Sequence, residues 1–98
     1  MKIKQTSIVG TMESSDIMIK LEPGVGIIDI DLSSTVEKQF GEEIKRVISE
    51  VITEYGVVSA KVTAIDMGAL NCTIRARVKT ALSRSVGLND YSWERSAT

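Results

Sequence analysis

Residues 17–32 read IMIKLEPGVGIIDIDL, and this stretch decides the fold because apolar residues recur at every second position on both sides of a central turn. The alternating apolar positions are Ile17, Ile19 and Leu21, then Ile28, Ile30 and Leu32. Such spacing is typical of strands that bury one face on a sheet. Between them, Pro23, Gly24 and Gly26 supply turn residues. We therefore predict two strands joined as a β-hairpin or meander.

Two further strands are predicted on either side of this stretch. Residues 6–12 are compatible with a strand, although Gly10 weakens the run and predicts a bulge or a fading edge. Alternation resumes near residue 60 and predicts a later strand, with Val58, Ala60, Val62 and Ala64 on one face. The serine pair Ser14 and Ser15 then lies in the short connection that follows the first strand.

Two helices are predicted from capping residues and from three- and four-residue apolar spacing. Residues 34–37, Ser-Thr-Val-Glu, have the form of a capping box, and Gly56 fits the end of that helix. Asp66 is predicted to cap a second helix that ends near Gly87. The predicted buried positions are Val36, Phe40, Ile44, Val47, Ile48, Val51, Ile52 and Tyr55 in the first helix and Met67, Leu70, Ile74, Val78, Ala81 and Leu82 in the second.

The predicted fold class is α+β, a small two-layer domain with an antiparallel sheet and two helices in the order β-β-β-α-β-α. Both helices must bury an apolar stripe, and one sheet face offers the surface for it. The 98 residues suit a single domain over residues 1–98. Residues 89–98 show no period and form a tail, in which Trp93 either docks on the domain or anchors a partner.

The composition excludes several function classes. The chain has no histidine, which is the usual base for a serine nucleophile and the commonest metal ligand, so we predict no catalytic residue and no metal site. The single cysteine, Cys72, can form no internal disulfide and is predicted to be a small buried hydrophobe. With 12 basic and 13 acidic residues, nucleic-acid binding is not expected. No apolar run spans a membrane and no targeting segment is seen, which favours the cytoplasm.

Positive charge gathers in the second predicted helix. Residues 68–85 contain Arg75, Arg77, Lys79 and Arg84 and no acidic residue. Helical spacing places Arg75 with Lys79 on one face and Arg77 with Arg84 on another. A solvated helix face explains such a run, and neither face is expected to be needed for folding. The alternative is a patch that meets phosphates or an acidic partner.

Residues 10–16, Gly-Thr-Met-Glu-Ser-Ser-Asp, place two serine hydroxyls between acidic neighbours. Without a histidine base, a serine presented in this way favours covalent modification over catalysis. Glu13 and Asp16 have two readings: contacts for a basic patch on a modifying or partner subunit, or solvated carboxylates that form the turn.

Three stretches in this order resemble the acyl carrier protein of citrate lyase, its gamma subunit. They are residues 10–16, residues 34–41 (Ser-Thr-Val-Glu-Lys-Gln-Phe-Gly), and Gly68-Ala69-Leu70 followed by Arg75-Ala76-Arg77, within a likeness that runs from Met1 to about Gly87. The sequence departs from the family pattern at Met12, Met67 and Asn71, where leucine, lysine and aspartate are common. It lacks the helix-bundle pattern and the Asp-Ser-Leu motif of fatty-acid carriers.

The resemblance implies a carrier subunit that is not itself an enzyme. Ser14, rather than Ser15, would carry phosphoribosyl dephospho-coenzyme A, a phosphopantetheine-like group attached by a transferase, with a thiol that holds acetyl and citryl groups. The alpha subunit (acyl transferase) and the beta subunit (acyl lyase) would then convert citrate to acetate and oxaloacetate. The residues expected to contact partners are Glu13, Asp16, Arg75 and Lys79.

Three alternatives remain open from the sequence. The first is the acyl carrier subunit of malonate decarboxylase, to which the chain is also similar. The second is an adaptor that is either unmodified or phosphorylated on Ser14 or Ser15 to bind an arginine cluster. A serine enzyme with a lysine or carboxylate base is the third. The mass added to the serine distinguishes a coenzyme from a phosphate, and turnover by the isolated chain would indicate an enzyme.

Overall fold

A computed structural model of the chain describes residues 2–34 and 37–86, with only the backbone of residues 37–39. Its elements are β1 (Ser7–Val9), β2 (Ile17–Pro23), β3 (Ile28–Ser34), α1 (Glu37–Glu54), β4 (Ala60–Asp66) and α2 (Asn71–Ser85). The α+β class and the order β-β-β-α-β-α confirm the prediction. Residues 35–36 of the predicted capping box, the predicted helix end Gly87 and the tail with Trp93 lie outside the described residues.

The four strands form one mixed sheet in the order β1-β2-β4-β3. β4 lies between the two strands of the opening stretch, antiparallel to β2 with Ile19 opposite Ala64, and parallel to β3 with Ile30 opposite Val62. The sheet is therefore not antiparallel throughout, and the predicted hairpin between β2 and β3 is wrong. The reason is that α1 connects β3 to β4, and a helical crossover of this length permits parallel pairing.

The turn at residues 24–27 carries the chain across the first residue of β4 instead of closing a hairpin. The Ala60 amide donates a hydrogen bond to the Ile27 carbonyl at 2.9 Å. A β-carbon on Gly24 would lie 2.4 Å from the Ala60 nitrogen, so only glycine permits this close crossing. The turn residues were identified correctly, and their role is to bridge a strand that arrives later in the chain.

Both helices cover the same face of the sheet, and no helix or strand within residues 2–34 and 37–86 packs on the other face. α1 packs on β3, α2 packs on β1 and β2, and the helices pack on each other. The fully buried side chains of the core include Ile17, Ile19, Leu21, Val62, Ile48, Val51, Ile52, Ile74, Val78 and Leu82. The opposite face carries exposed charges such as Asp29, Asp31 and Lys61. No helix within residues 2–34 and 37–86 is long and apolar enough to cross a membrane.

The predicted apolar positions are buried in the middle of each element and exposed at several of the ends. Phe40 is 49% exposed and Val58, which lies before β4, is 76% exposed. Leu70 is 70% exposed, and Cys72 is exposed rather than buried as predicted. Because α2 begins only at Asn71, its first turn precedes the part of the helix that packs on the sheet, and burial starts at Ile74.

The start of α2 differs from the prediction because Asp66 does not cap it. Asp66 is 1% exposed at the end of β4, and its carboxylate accepts hydrogen bonds from the amides of Gly68 (3.2 Å) and Ala69 (3.0 Å) and the hydroxyl of Ser34 (2.8 Å). An aspartate that bonds the amides two and three residues on forms a turn of its own. That turn delays the helix to Asn71, after Leu70, whose side chain provides no cap.

Candidate functional site

Ser14 lies at the tip of a tight turn between β1 and β2, as predicted. The Asp16 amide donates to the Glu13 carbonyl at 3.1 Å, so Ser14 and Ser15 are the two central residues. Ser15 has a φ of +67°, the left-handed region required of the second central residue in type II turns. Ser14 takes the first central position, and its side chain is exposed.

The backbone of this turn is attached to the segment that follows β4. The Ser15 amide donates to the Met67 carbonyl at 2.7 Å, and the Met67 amide donates to the Asp16 carbonyl at 2.9 Å. These bonds continue the pairing between β2 and β4 past its last register pair, Ile17 with Asp66. The residues next to Ser14 are thus held by the sheet itself.

The carboxylate of Asp16 is the centre of the hydrogen bonding under the turn. It accepts bonds from the Thr11 hydroxyl (2.6 Å), the Thr11 amide (3.2 Å) and the Ile17 amide (2.8 Å). Arg77 of α2 binds it through two nitrogens, Nε at 3.0 Å and Nη2 at 2.8 Å. The hydrogen bonds from Arg77, and then those from Thr11 and Ile17, hold the pKa of Asp16 well below its usual range.

Two interpretations from the sequence change with this geometry. Asp16 is 9% exposed and its carboxylate bonds Thr11 and Arg77, whereas Glu13 is exposed. Arg77 was assigned to a solvated face or a partner patch, whereas the structure pairs it with the carboxylate of Asp16. Thr11 and Arg77 were not recognised as site residues. Arg77 lies 61 positions from Asp16, a separation at which no local spacing links two side chains.

Gly10 allows the turn to leave β1 close to β2. Its φ is +93°, and a β-carbon there would lie 2.0 Å from the Ile17 carbonyl oxygen. The predicted fading edge is confirmed, because β1 ends at Val9. Because Gly10 has no side chain, its backbone can lie against the start of β2, next to the residues that are hydrogen-bonded to Asp16.

The hydroxyl of Ser14 is available for chemistry. Within residues 2–34 and 37–86, no group hydrogen-bonds to it, although the backbone on both sides is fixed. An exposed primary hydroxyl on a short, ordered turn can accept a bulky substituent without displacing the core. In the same part of the chain, no three Asp, Glu or Cys side chains gather to hold a metal ion.

The other predicted contact residues lie on the outer surface of α2. Arg75 reaches α1, where its Nη2 lies 3.0 Å from both carboxylate oxygens of Glu54 and its Nη1 lies 3.5 Å from Glu50. Lys79 is exposed and has no ion pair with any described residue. The positive charge of Arg75 is therefore partly compensated within the domain, and that of Lys79 is not.

Comparisons with known proteins identify the family. A family model described as malonate decarboxylase delta subunit (MdcD) matches residues 4–85. A citrate lyase acyl carrier protein from Streptococcus uberis is 50% identical over 94 residues, which cover 96% of this chain and 93% of the relative. The chain belongs to the citrate lyase acyl carrier protein family. Two further citrate lyase acyl carrier proteins, from Latilactobacillus sakei and Oenococcus oeni, are each 48% identical and cover 96% of this chain and 93% and 98% of the relatives.

A solved structure shows that the fold of this citrate lyase acyl carrier protein family member has been seen before. A chain in the crystal structure of a Pseudomonas malonate decarboxylase hetero-tetramer in complex with malonate superimposes with a TM-score of 0.65. The alignment covers 85% of this chain and 86% of that chain at 17% sequence identity. At that identity the likeness concerns the fold alone.

Proposed function

We propose that this chain is the acyl carrier subunit of a citrate lyase and that Ser14 carries its prosthetic group covalently. The observation behind this assignment is the exposed Ser14 hydroxyl at the tip of a fixed turn. The turn backbone is hydrogen-bonded to Met67, directly after β4, and the Asp16 carboxylate binds Arg77 of α2. The names of the relatives support the carrier role. We assign the group as phosphoribosyl dephospho-coenzyme A, and the chain itself as non-catalytic.

The residues around Ser14 fit such a group. Attachment forms a bond between the serine Oγ and a phosphorus of an activated nucleotide donor and breaks the phosphoanhydride bond at that phosphorus. The remaining phosphate fragment of the donor leaves, and the hydroxyl proton passes to the transferase. The hydroxyl must therefore be reached from outside, as the exposure of Ser14 allows. When bound, the group supplies a thiol that holds acyl groups as thioesters. The chain supplies a fixed attachment point.

The proposed partners are a prosthetic-group transferase and the alpha (acyl transferase) and beta (acyl lyase) subunits. Glu13 is exposed beside Ser14 and suits a basic surface on a protein that approaches the turn. On α2, Lys79 is the stronger candidate for steering, because the charge of Arg75 is shared with Glu54. A membrane or nucleic-acid partner is not proposed, and the compartment we propose is the cytoplasm.

Mass spectrometry of the protein tests the assignment of Ser14. The protein from a host with the citrate lyase maturation enzymes should carry one thiol-bearing adduct much heavier than a phosphate, mapped to Ser14. Ser14→Ala should abolish the adduct. Ser15→Gly is the matched control, because glycine tolerates the positive φ at that position and leaves Ser14 in place. An adduct on Ser15, or phosphate alone, would contradict the assignment and favour the adaptor.

A second candidate is the acyl carrier subunit of malonate decarboxylase. The description of the matching family model and the fold of the Pseudomonas chain favour it, whereas the relatives with near half identity carry the citrate lyase name. Reconstitution distinguishes the two. The loaded chain should restore citrate cleavage when mixed with citrate lyase alpha and beta subunits, and restoration of malonate decarboxylation alone would select the alternative.

A further inference from the structure

We propose that Thr11 and Arg77, acting through the carboxylate of Asp16, are positioning residues for the modification of Ser14. We call these three residues the Asp16 clamp. The clamp holds the turn in the shape that the attaching enzyme recognises, without touching the reacting hydroxyl. This inference rests on the proposed function and adds Thr11, which lies beside the turn, and Arg77, which lies in α2.

The first part of the clamp is the connection to α2. Arg77 binds both oxygens of Asp16 in the parallel, two-bond arrangement that fixes the relative orientation of the two groups. Its backbone is fixed in turn, because Ile74 and Val78, on either side of it in the helix, are fully buried. The carboxylate is therefore held against a part of the core that has no freedom to shift.

The second part is the Thr11 hydroxyl, which links the carboxylate to the turn. It donates to Asp16 at 2.6 Å and accepts the Glu13 amide at 3.2 Å. Glu13 is the first residue of the turn and Asp16 the last, so one hydroxyl connects both ends. Ser14 lies between them with its hydroxyl unengaged by any described residue.

The turn needs this support because of its own conformation. Ser15 is in the left-handed region, which is strained for any residue with a β-carbon. A free four-residue turn would leave that region readily. The Glu13 amide donates to the Thr11 hydroxyl and the Ser15 amide donates to the Met67 carbonyl, and these bonds, together with the Asp16 carboxylate under the turn, hold it there.

Loss of the clamp should reduce recognition rather than chemistry. An enzyme that binds only the native shape of the turn has its apparent affinity lowered by the fraction of molecules in that shape. If that fraction falls to about one tenth, the KM for the carrier rises about tenfold, while kcat stays near the value of the parent protein. A residue that contacted the reacting atoms would change kcat instead.

Arg77→Gln and Arg46→Gln form a matched pair for the test. Each removes a guanidinium that binds a carboxylate through Nε and Nη2, but Arg46 binds Glu43 on the exposed surface of α1 and not the turn. Loading of the full-length protein by purified transferase is followed by intact mass, and amide hydrogen exchange at Ser15 and Asp16 is measured without the transferase. Arg77→Gln should raise KM about tenfold and speed exchange at both amides, and Arg46→Gln should match the parent.

Thr11→Val and Thr11→Ser provide a second pair, because Thr11 is exposed and neither change threatens the core. Valine removes the hydroxyl and should raise the KM of the transferase for the carrier, whereas serine keeps the hydroxyl and should give the KM of the parent. If Arg77→Gln fails to fold, this pair decides.

Unchanged KM in both Arg77→Gln and Thr11→Val, or a loss confined to kcat, overturns the clamp. If the parent itself is not loaded on Ser14, the proposed function fails instead, and amide exchange alone decides whether the clamp orders the turn.

Discussion

Replacement of Gly10 by alanine should destabilise the domain far more than the same change at Gly26. Both glycines have positive φ, +93° and +79°, so alanine at either position carries a similar backbone penalty of about 1 kcal/mol. They differ in their surroundings. An added β-carbon at Gly10 lies 2.0 Å from the Ile17 carbonyl oxygen, whereas at Gly26 it meets nothing within 4 Å.

The additional penalty at Gly10 follows from the overlap. Carbon and oxygen atoms that are not bonded rarely approach closer than about 3.3 Å, so the backbone at this point must separate by more than about 1 Å. Overpacking of that kind costs about 2 kcal/mol. The sum is about 3 kcal/mol for Gly10→Ala against about 1 kcal/mol for Gly26→Ala, out of a stability of roughly 5–15 kcal/mol for a domain of this size.

Urea denaturation followed by circular dichroism measures the difference. With an m-value of about 1.2 kcal/mol/M, Gly10→Ala should lower the midpoint by about 2.5 M and Gly26→Ala by about 0.8 M. Equal midpoints for the two variants, with equal m-values, would show that the β1 end has room to move away from Ile17. The close approach at Gly10 would then not make alanine at this position more destabilising than alanine at Gly26.

Three further outcomes are expected. The pKa of Asp16 is lowered on folding from its usual value near 3.8, so its contribution is fully present above about pH 4 and is lost as the pH falls through the folded pKa. Asp16→Asn should therefore be about 2 kcal/mol less stable than the parent at pH 7, and the gap in thermal midpoint should narrow below about pH 4; a gap that widens in acid contradicts this sign. Cys72 is exposed, so iodoacetamide should add one carbamidomethyl group to the folded, unloaded chain and two to the loaded chain; labelling of Cys72 only in denaturant would show that it is covered. The purified chain, loaded or not, should not cleave citrate, and turnover that persists after further purification would show that the carrier has an activity of its own.

Local patterns were sufficient for the elements and for most of the core. The alternation of Ile17, Ile19 and Leu21 identified a buried face because side-chain direction in a strand depends only on position. Strand partners are not a local property. Nothing in residues 17–32 indicates that β4 will lie between β2 and β3, so the sequence predicted the adjacent pairing that a short turn normally produces.

The same limit applies to the candidate site. The turn at Ser14 was placed correctly because Gly10 and the serine pair mark a break between strands. Glu13 and Asp16 carry the same chemical group three positions apart, yet one faces solvent and the other is buried. That difference depends on Arg77, which reaches Asp16 only after the helices have packed. Burial of a polar side chain is decided by its partner, and the partner is distant in sequence.

The separation of 61 positions between Asp16 and Arg77 also affects when the turn can take its final shape during synthesis. A ribosome adds Arg77 61 residues after Asp16, so Ser14 is synthesised before the arginine that binds beneath its turn. Chains that are truncated before α2, or misfolded there, present a serine of the right sequence in the wrong conformation. If Ser14 carries the coenzyme as proposed, an enzyme that recognises the shape of this turn would load only chains in which α2 has already folded.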